Sequence, residues 1–533
     1  MFRNGAVYTV DAARSWARTV AVRGGRIVHV GGDTLPEGLV GPKTEVVDLA
    51  GGMLLPGFQD GHVHLLLGGV ELGECSLFRL ETAAEIVDSV AACAAARRGG
   101  WVRGAGWELT AFPDANPSKA LLDRIAPDRP VLLDAADGHS AWANSRALEL
   151  AGITPETPDP TDGRIERDPR TGEPSGTLRE TAMELVSRLL PERTDGELAD
   201  GLARALPLAA ERGITSIMEA SASEGMLRAY AAADRAGRLT LRVVVAADAE
   251  PDSAGVQGVV RRLADRRSRY ATPRVLPAAA KLFQDGVIEA RTAALLAPYL
   301  ERKGDAGKPI YPQPVLDSLI AALDRDGWQL HVHAIGDRAI RMTLDALEHA
   351  RAVNGARDAR HTITHLQLID PADLPRFRRL AVVANFEPFW ANGDEYLTEL
   401  AEPALGPARS RWLYPIRSVV ATGAVVSAGS DWSVSSLAPL DGIQVAVTHR
   451  DPGDRRPPWR AEEAVDLPTA IGMYTINAAY QNHLERETGS IEVGKLADLV
   501  ALERNLFDVP ADELHAVRVT RTTLEGRTVY RRP

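Results

Sequence analysis

The chain has 533 residues, of which 45% are hydrophobic and 25% are charged, and its formal net charge is −11. This is the composition of a folded globular protein, so it excludes extensive disorder. The acidic balance and the absence of Lys/Arg-rich runs argue against a surface that binds nucleic acid, so no nucleic-acid partner is expected. The length allows three or four domains of average size, or one α/β barrel with a smaller second domain.

Several features of the sequence indicate a cytoplasmic protein. The N-terminal residues contain no apolar segment of about 7–15 residues, so no secretory signal is expected. No run of about 18 apolar residues occurs, so no membrane partner is expected. The only two cysteines are Cys75 and Cys93, and they form no C-x-x-C motif. Two isolated cysteines do not make a disulfide framework, so a reducing cytoplasm is the expected location.

Short β-branched runs at both ends of the chain predict a small β domain. Gly24-Gly25 separates two of these runs and is a two-residue hairpin signal. Chain termini often lie close together, so we expect one composite β-sandwich domain built from residues 1–55 and 481–533. The predicted strands are residues 7–10, 19–22, 26–30, 44–49, 498–502, 516–520 and 527–530.

The central residues 56–480 predict a barrel of alternating helices and strands. Helical stretches rich in Ala and Leu, such as 196–212 and 314–325, are each followed by glycine and a short apolar strand. This alternation favours β/α units around a parallel sheet, and the length of this region favours a (β/α)8 TIM-like barrel. No G-x-G-x-x-G motif supports a dinucleotide-binding fold instead. Residues of about 100–195 are rich in proline and charge, and we expect them to form an insertion.

The sharpest local signal is the pair His62 and His64, which follows the apolar run 54–57. Residues i and i+2 of a strand face the same side, about 6.5–7 Å apart, so the two imidazoles can bind one metal ion. The pair is expected at the C-terminal mouth of a strand, where barrel active sites lie. The alternative interpretation is two ordinary histidines near a strand end.

More histidines and an aspartate end later strands. His331 and His333 form a second H-x-H, His365 ends the next strand, and Asp431 follows an apolar strand that begins at Ala424. Chance explains this pattern poorly, because the whole chain has only 12 histidines. Imidazole and carboxylate are zinc-type ligands, which a catalytic site gathers around an open position. The spacing does not choose between His331 and His333, since both face the same way.

Lys281 lies inside an apolar strand, where burying an unpaired ammonium group is costly. One interpretation is a lysine that extends its charged end to solvent. The other is a neutral or carbamylated lysine, whose new carboxylate bridges two metal ions.

In this order, the residues resemble the amidohydrolase superfamily of metal-dependent barrel hydrolases. The pattern is H-x-H after the first strand, lysine at the fourth, histidines at the fifth and sixth, and aspartate at the eighth. The chain is most similar to the amidohydrolase-3 branch, the group similar to N-substituted formamide deformylases, and the resemblance spans nearly the whole chain. The segments that carry it are residues 137–145, 281–286, 333–337, 429–432, 475–479 and 489–500.

The resemblance implies a divalent metal, expected to be Zn²⁺, as one ion or as two if Lys281 is carbamylated. It favours His333 over His331 as a ligand, because His333 belongs to the matching motif. It also implies that Asp431 contacts the metal and acts as base and acid, with Lys281 as the bridge. The implied ligands are His62, His64, Lys281, His333, His365 and Asp431.

The implied reaction is hydrolysis of a C–N bond other than a peptide bond, in an amide or N-formyl group. A metal-activated hydroxide would attack, and Asp431 would accept the water proton and deliver it to the leaving nitrogen. A deaminase or a cyclic-amide hydrolase on the same site is an alternative, because it needs the same ligands. A non-catalytic binding or regulatory protein on this fold is another, and the complete ligand set argues against it.

The expected partner is a small-molecule amide. His139 would donate a hydrogen bond to the substrate oxygen, or would instead make a structural hydrogen bond. Aromatic side chains near strand ends or in the insertion predict a substrate with an apolar or aromatic group. We also expect a homodimer, since large barrels are often dimers. The expected substrate-contacting residues are His139, Trp142, Asn144, Trp107, Trp390 and Trp432.

Overall fold

An eight-stranded parallel sheet forms the centre of the computed structural model, which describes residues 1–34, 36–96, 99–161, 163–251 and 253–533. The strands pair in chain order, each with the next. This confirms the barrel that the alternating pattern predicts. The barrel strands are β1 (Phe58–Val63), β2 (Ile214–Ala222), β3 (Arg242–Asp248), β4 (Val275–Phe283), β5 (Gln329–Ala334), β6 (Thr362–His365), β7 (Val383–Phe386) and β8 (Val426–Ala428).

Helices cover the outside of the barrel, and Asp195–Glu211 shows why they form. Thr194 and Glu197 make a capping box at its start, and Leu198 and Leu202 on its buried face are one turn apart. No helix among the described residues has both the length and the apolar character needed to cross a membrane. The longer helices of the barrel region are Asp195–Glu211, Glu224–Arg235, Gly255–Tyr270, Gln313–Arg325, Asp337–Asn354 and Pro439–Thr448. The shorter ones are Leu65–Glu71, Leu374–Leu380, Glu402–Leu405, Pro407–Ser410, Ile416–Ala421, Leu467–Met473 and Ile476–Gln481.

Backbone hydrogen bonds join the two ends of the barrel sheet. The N–H groups of Ser430 and Asp431, just after β8, donate to the carbonyl oxygen of His62 in β1 at 3.2 and 2.8 Å. Gly429 allows this approach, because a Cβ atom there would lie 2.6 Å from the Cβ of His62. The closure therefore places Asp431 directly beside the first histidine pair.

Strands from both chain ends form two further sheets, which confirms the predicted terminal β-sandwich. Residues 24 and 25 make the predicted hairpin turn, since the strands on either side pair antiparallel. Apolar residues from both ends, including Phe2, Ile27 and Leu499, share one buried cluster. One sheet contains Arg26–Gly31, Thr19–Arg23, Phe2–Arg3 and Val47–Asp48, and the other contains Arg527–Arg531, Val519–Leu524, Leu499–Leu502, Met53–Pro56, Ala6–Tyr8 and Trp16–Ala17.

The region between β1 and β2 contains a sheet of its own, which begins before the predicted insertion at 100–195. Residue 162 of that range lies outside the described residues. The strands are Cys75–Ser76, Val102–Trp107, Val131–Ala135, Ser140–Ala143, Gly163–Arg167 and Pro174–Glu180. The helices are Ala83–Ala96, Lys119–Ile125, Ser145–Ala151 and Glu184–Ser187.

The two cysteines are bonded to each other, which corrects the expectation of two isolated thiols. Cys75 lies in the strand Cys75–Ser76 and Cys93 in the helix Ala83–Ala96. They are 18 positions apart in sequence, but the fold brings their Cα atoms to 5.7 Å. Sequence spacing alone does not reveal such a pair, because the contact depends on how the helix packs against the strand.

A buried ion pair links the barrel to the terminal sheets. Arg242, at the start of β3, lies 3.0 Å from Asp498 and 2.8 Å from Glu525. The Asp498 side chain is completely buried, and only 7% of the Arg242 side chain is exposed. Removing one partner of such a pair leaves an uncompensated charge in the interior.

We expect Arg242→Ala to lower the free energy of unfolding by about 3–5 kcal/mol, because Asp498 would remain buried without its partner. The matched control is Arg18→Ala, which breaks the exposed pair with Asp33 and should cost less than about 1 kcal/mol. Denaturant unfolding of both variants checks this. Equal effects of the two substitutions would contradict the structural role of the buried pair.

Candidate metal centre

Three potential metal ligands converge at the carboxyl-terminal end of the barrel strands. One ligand atom from each of His62, His365 and Asp431 lies within 4.8 Å of the other two. The Nε2 atoms of His62 and His64 lie 3.5 and 3.2 Å from Oδ1 of Asp431. The strands β1, β6 and β8 thus bring together residues that are far apart in sequence.

The donor set fits a divalent metal ion. His62 is fully buried and Asp431 is 6% exposed. Nε2 of His62 has no hydrogen-bond partner among the described residues. Unpaired buried polar atoms are unusual and need an explanation. Imidazole nitrogens and a carboxylate oxygen are the ligands that Zn²⁺ takes in catalytic sites.

Lys281 extends from β4 towards this centre. It is 1% exposed, and its Nζ atom has no hydrogen-bond partner among the described residues. The interpretation of a lysine that reaches solvent is therefore wrong. Burial lowers the pKa of Lys281 to about 8, partly opposed by the charge of Asp431. The ring of Phe283, with its centroid 4.6 Å from Nζ, provides a nearby aromatic contact.

The structure distinguishes the two histidines of β5. His331 is fully buried, and its Nε2 lies 2.9 Å from Nδ1 of His62. It therefore contacts the ring nitrogen of His62 that does not face Asp431. His333 lines the cavity, and its ring centroid is 4.6 Å from that of His365. Its Nε2 lies 3.2 Å from the carbonyl oxygen of Gly286. His333 is therefore the one that reaches the cavity.

The sequence analysis missed Glu387, which directly follows β7. Its side chain is fully buried, and Oε2 lies 2.9 Å from Nδ1 of His365. Burial raises the pKa of Glu387, while His365 opposes this effect. One signal could have identified it: like Asp431, it is an acid at the carboxyl end of an apolar barrel strand.

His139 reaches the same cavity from the inserted sheet. Its Nδ1 lies 2.8 Å from Oε2 of Glu180, whose other oxygen accepts a hydrogen bond from Thr292 at 2.6 Å. Burial alone would lower the pKa of His139, but the Glu180 carboxylate outweighs it and raises the pKa to about 9. Its ring centroid is 4.9 Å from that of His333. The ring of His139 therefore faces His333, and the Glu180 carboxylate favours its protonated form.

A cavity of about 1210 Å³ opens in front of the centre. Trp390 and Trp432, both expected at the substrate, line this cavity. Trp390 stacks on His365 with 5.5 Å between ring centroids and 14° between the planes. The other aromatic lining residues are Phe78, Phe389, Tyr396, Tyr414 and Tyr530.

Three residues expected at the substrate lie elsewhere, which corrects the sequence-based assignment. Trp107 and Trp142 are fully buried in the apolar core of the inserted sheet, with ring centroids 6.3 Å apart. Asn144 caps the helix Ser145–Ala151 by accepting from the backbone N–H of Ala147. The sequence does not show whether an aromatic or amide side chain of this region faces the cavity or the core of the inserted sheet.

The amidohydrolase family model matches residues 45–530. The chain is 32% identical over 544 residues to Protein LONG AFTER FAR-RED 3 of Arabidopsis thaliana, which covers 99% of this chain and 91% of that protein. It is 30% identical over 562 residues to the N-substituted formamide deformylase of Arthrobacter pascens, covering 100% of this chain and 98% of the enzyme.

The fold is similar to that of a solved structure from Pyrococcus horikoshii, an uncharacterized metal-dependent hydrolase. The TM-score is 0.75 at 24% identity, and the match covers 96% of this chain and 98% of that chain. The likeness therefore extends over the barrel, the inserted sheet and the terminal sheets together.

We expect Glu180→Gln to destabilise the metal-free protein more at pH 6 than at pH 10. The folded pKa of His139, about 9, lies above its ordinary value of 6.5. The stabilisation is therefore complete below about pH 6.5 and is lost as the pH rises through about 9. The expected difference in free energy of unfolding between the two pH values is about 1–3 kcal/mol.

Denaturant unfolding at both pH values measures this difference. The control is Glu184→Gln, which changes an exposed acid four residues away. If Glu180→Gln destabilised the protein equally at pH 6 and pH 10, the charge interaction with His139 would not be its cause.

Proposed function

Since the chain belongs to the amidohydrolase family, we propose that it is a metal-dependent hydrolase that cleaves the C–N bond of an amide or N-formyl group. The observation that carries this proposal is the convergence of His62, His365 and Asp431 within 4.8 Å beside a large cavity. The full-length similarity to an N-substituted formamide deformylase supports the N-formyl group as the first substrate class to test.

We propose that the metal site includes all the donors that the strands bring together. When bound, a divalent ion such as Zn²⁺ supplies a positive charge that polarises a carbonyl group and promotes ionisation of water. Lys281 would take part as a carbamate, because burial lowers its pKa and so increases the fraction of neutral amine that can react with carbon dioxide. The proposed ligands are His62, His64, Lys281, His333, His365 and Asp431.

Asp431 is proposed as the general base and acid. Burial alone would raise its pKa, but the hydrogen bond and charge interaction with His64 lower it. The group therefore remains a carboxylate that can accept a proton from the attacking water. Asp431 lines the cavity, so its carboxyl group can return that proton to the leaving nitrogen.

His139 is proposed to donate a hydrogen bond to the substrate carbonyl oxygen. Glu180 holds its Nδ1, which leaves Nε2 as the free donor of the ring. Because the Glu180 carboxylate raises the pKa of His139 to about 9, the ring carries a positive charge near neutral pH. Such a charge stabilises the negative charge that develops on the carbonyl oxygen in the transition state.

The cavity supports a substrate with an apolar or aromatic group on nitrogen. Trp390 and Trp432 provide flat apolar surface close to His365 and Asp431. Aromatic side chains with a few well-placed polar groups are typical of small-molecule pockets.

Purified protein should hydrolyse N-formyl amines, and a chelator should abolish this activity. Added Zn²⁺ should restore it, since the proposed attack on the carbonyl needs the ion. A screen of N-formyl amines, N-acyl amino acids and cyclic amides, with amine or ammonia release as the readout, measures this and tests the proposed class. Full activity after verified metal removal would contradict the proposed mechanism. Activity on cyclic amides alone would contradict the N-formyl class.

Asp431→Asn should keep Zn²⁺ bound but lower kcat by about 10²–10⁴-fold, because the amide cannot accept the water proton. Steady-state kinetics together with the zinc content of the variant checks this. Asp326→Asn is the control, since Asp326 hydrogen-bonds to Trp328 at the opposite, amino-terminal end of β5. Near-normal turnover of Asp431→Asn would contradict the role of Asp431.

A further inference from the structure

Behind the metal centre lies a chain of fully buried polar side chains that the proposed reaction does not use. Thr364 is at its centre: Oγ1 lies 2.8 Å from Nδ1 of His62, 2.8 Å from Oδ1 of Asn385 and 3.2 Å from Oε1 of Glu387. All four residues are fully buried. Each proton in this chain must therefore have a partner inside the protein.

A backbone carbonyl fixes the direction of the chain. The side-chain amide nitrogen of Gln481 donates to the carbonyl oxygen of Gly61 at 2.8 Å, and a carbonyl oxygen can only accept. The Oε1 atom of Gln481 must then face Asn385 and Ser427, and it accepts from both. Flipping the Gln481 amide would place two acceptor oxygens against each other at Gly61.

The orientation passes from Gln481 to Asn385 and then to Thr364. Nδ2 of Asn385 donates to Oγ of Ser427 at 3.0 Å and to Oε1 of Gln481 at 3.4 Å, so Oδ1 points to Thr364. Thr364 has one hydroxyl proton, and its neighbours Asn385 and Glu387 both present acceptor oxygens. The hydroxyl therefore donates in that direction, which leaves its oxygen as an acceptor towards His62.

We infer that this chain sets the tautomers of two metal-site histidines, with Thr364 and Glu387 as positioning residues. Thr364 accepts the Nδ1 proton of His62, and Oε2 of Glu387 accepts the Nδ1 proton of His365. In both rings the Nε2 lone pair is then free to face the metal. The inference rests on the proposed metal site and goes beyond it, because neither Thr364 nor Glu387 is one of the proposed ligands.

His331 is a second possible partner of Nδ1 of His62, beside Thr364. Its Nε2 also lies 2.9 Å from Nδ1 of His62. If His331 donated a proton there, the His62 proton would move to Nε2, which faces Asp431 at 3.5 Å. That tautomer has no lone pair for a metal. Thr364 opposes it by offering an acceptor to Nδ1. Within the described part of the chain, removal of its hydroxyl leaves His331 as the one side-chain partner of this atom.

The test measures Zn²⁺ affinity of the full-length, chelator-treated protein by competition with a chromophoric chelator. Thr364→Val removes the hydroxyl with little change in shape, and we expect Zn²⁺ binding about 10–100-fold weaker than in the wild type. The matched control is Thr362→Val, on the same strand and equally buried, whose hydroxyl donates to the carbonyl of Arg360. We expect the affinity of that control to stay within about 3-fold of the wild type, since a lost hydrogen bond alone does not alter the histidines.

Glu387 is tested by a conservative and a non-conservative variant. Glu387→Gln keeps an oxygen that can accept from Nδ1 of His365, so it should retain most of the Zn²⁺ affinity. Glu387→Leu removes the acceptor and should weaken Zn²⁺ binding about 10–100-fold. Equal Zn²⁺ affinities of the two variants would contradict the positioning role of Glu387.

A second measurement on the wild type does not depend on whether the variants fold. Long-range ¹H–¹⁵N correlation spectra of protein labelled at histidine, without metal, should show His62 and His365 protonated on Nδ1. Protonation of His62 on Nε2, or equal Zn²⁺ affinities of Thr364→Val and Thr362→Val, would overturn the inference. Wild-type protein that binds no Zn²⁺ would overturn the proposed function itself, and the inference with it.

Discussion

The site depends on the closure of the barrel between β8 and β1. The backbone N–H groups of Ser430 and Asp431 donate to the carbonyl oxygen of His62, so the last strand ends against the first histidine pair. Closure brings Asp431 within 3.5 Å of both His62 and His64. It also completes a ring of parallel strands, and the carboxyl-terminal ends of these strands hold every proposed ligand.

Closure buries several ionisable side chains together, and ion pairs with neighbouring imidazoles reduce the unfavourable free energy of burying the acids. Lys281, Asp431 and Glu387 are buried together with several imidazoles, and an isolated charge in such a place is strongly unfavourable. The buried acids pair with imidazoles: Glu387 with His365, Asp431 with His64, and Glu180 with His139. Nε2 of His62 and Nζ of Lys281 are among the buried atoms without a hydrogen-bond partner in the described part of the chain, and the proposed metal site uses both.

The inserted sheet forms part of the cavity wall. It contributes His139 to the cavity, while the bond between Cys75 and Cys93 joins its first strand to the helix Ala83–Ala96. At the amino-terminal end of the barrel strands, the ion pair of Arg242 with Asp498 and Glu525 connects the barrel to the terminal sheets. The predicted homodimer and cytoplasmic location concern surroundings of the chain and stay predictions.

The sequence pattern predicted a parallel barrel, and the family resemblance added most of the proposed site. In a parallel barrel, a histidine or acid at the carboxyl end of an apolar strand lies at the same edge as the ends of the other strands. The shared location of His62, His64, His365 and Asp431 could therefore be predicted from the places where their strands end. Lys281 was found in the same way, but only its burial in the folded barrel excluded a solvent-facing side chain.

Tertiary structure alone decided the finer points. His331 and His333 share a strand face, so only packing against His62 and the cavity separates them. Trp107 and Trp142 face the core of the inserted sheet rather than the cavity, and the sequence around them does not indicate this. Glu387 and the cysteine pair likewise act through partners distant in sequence, and sequence periodicity describes only neighbours along the chain.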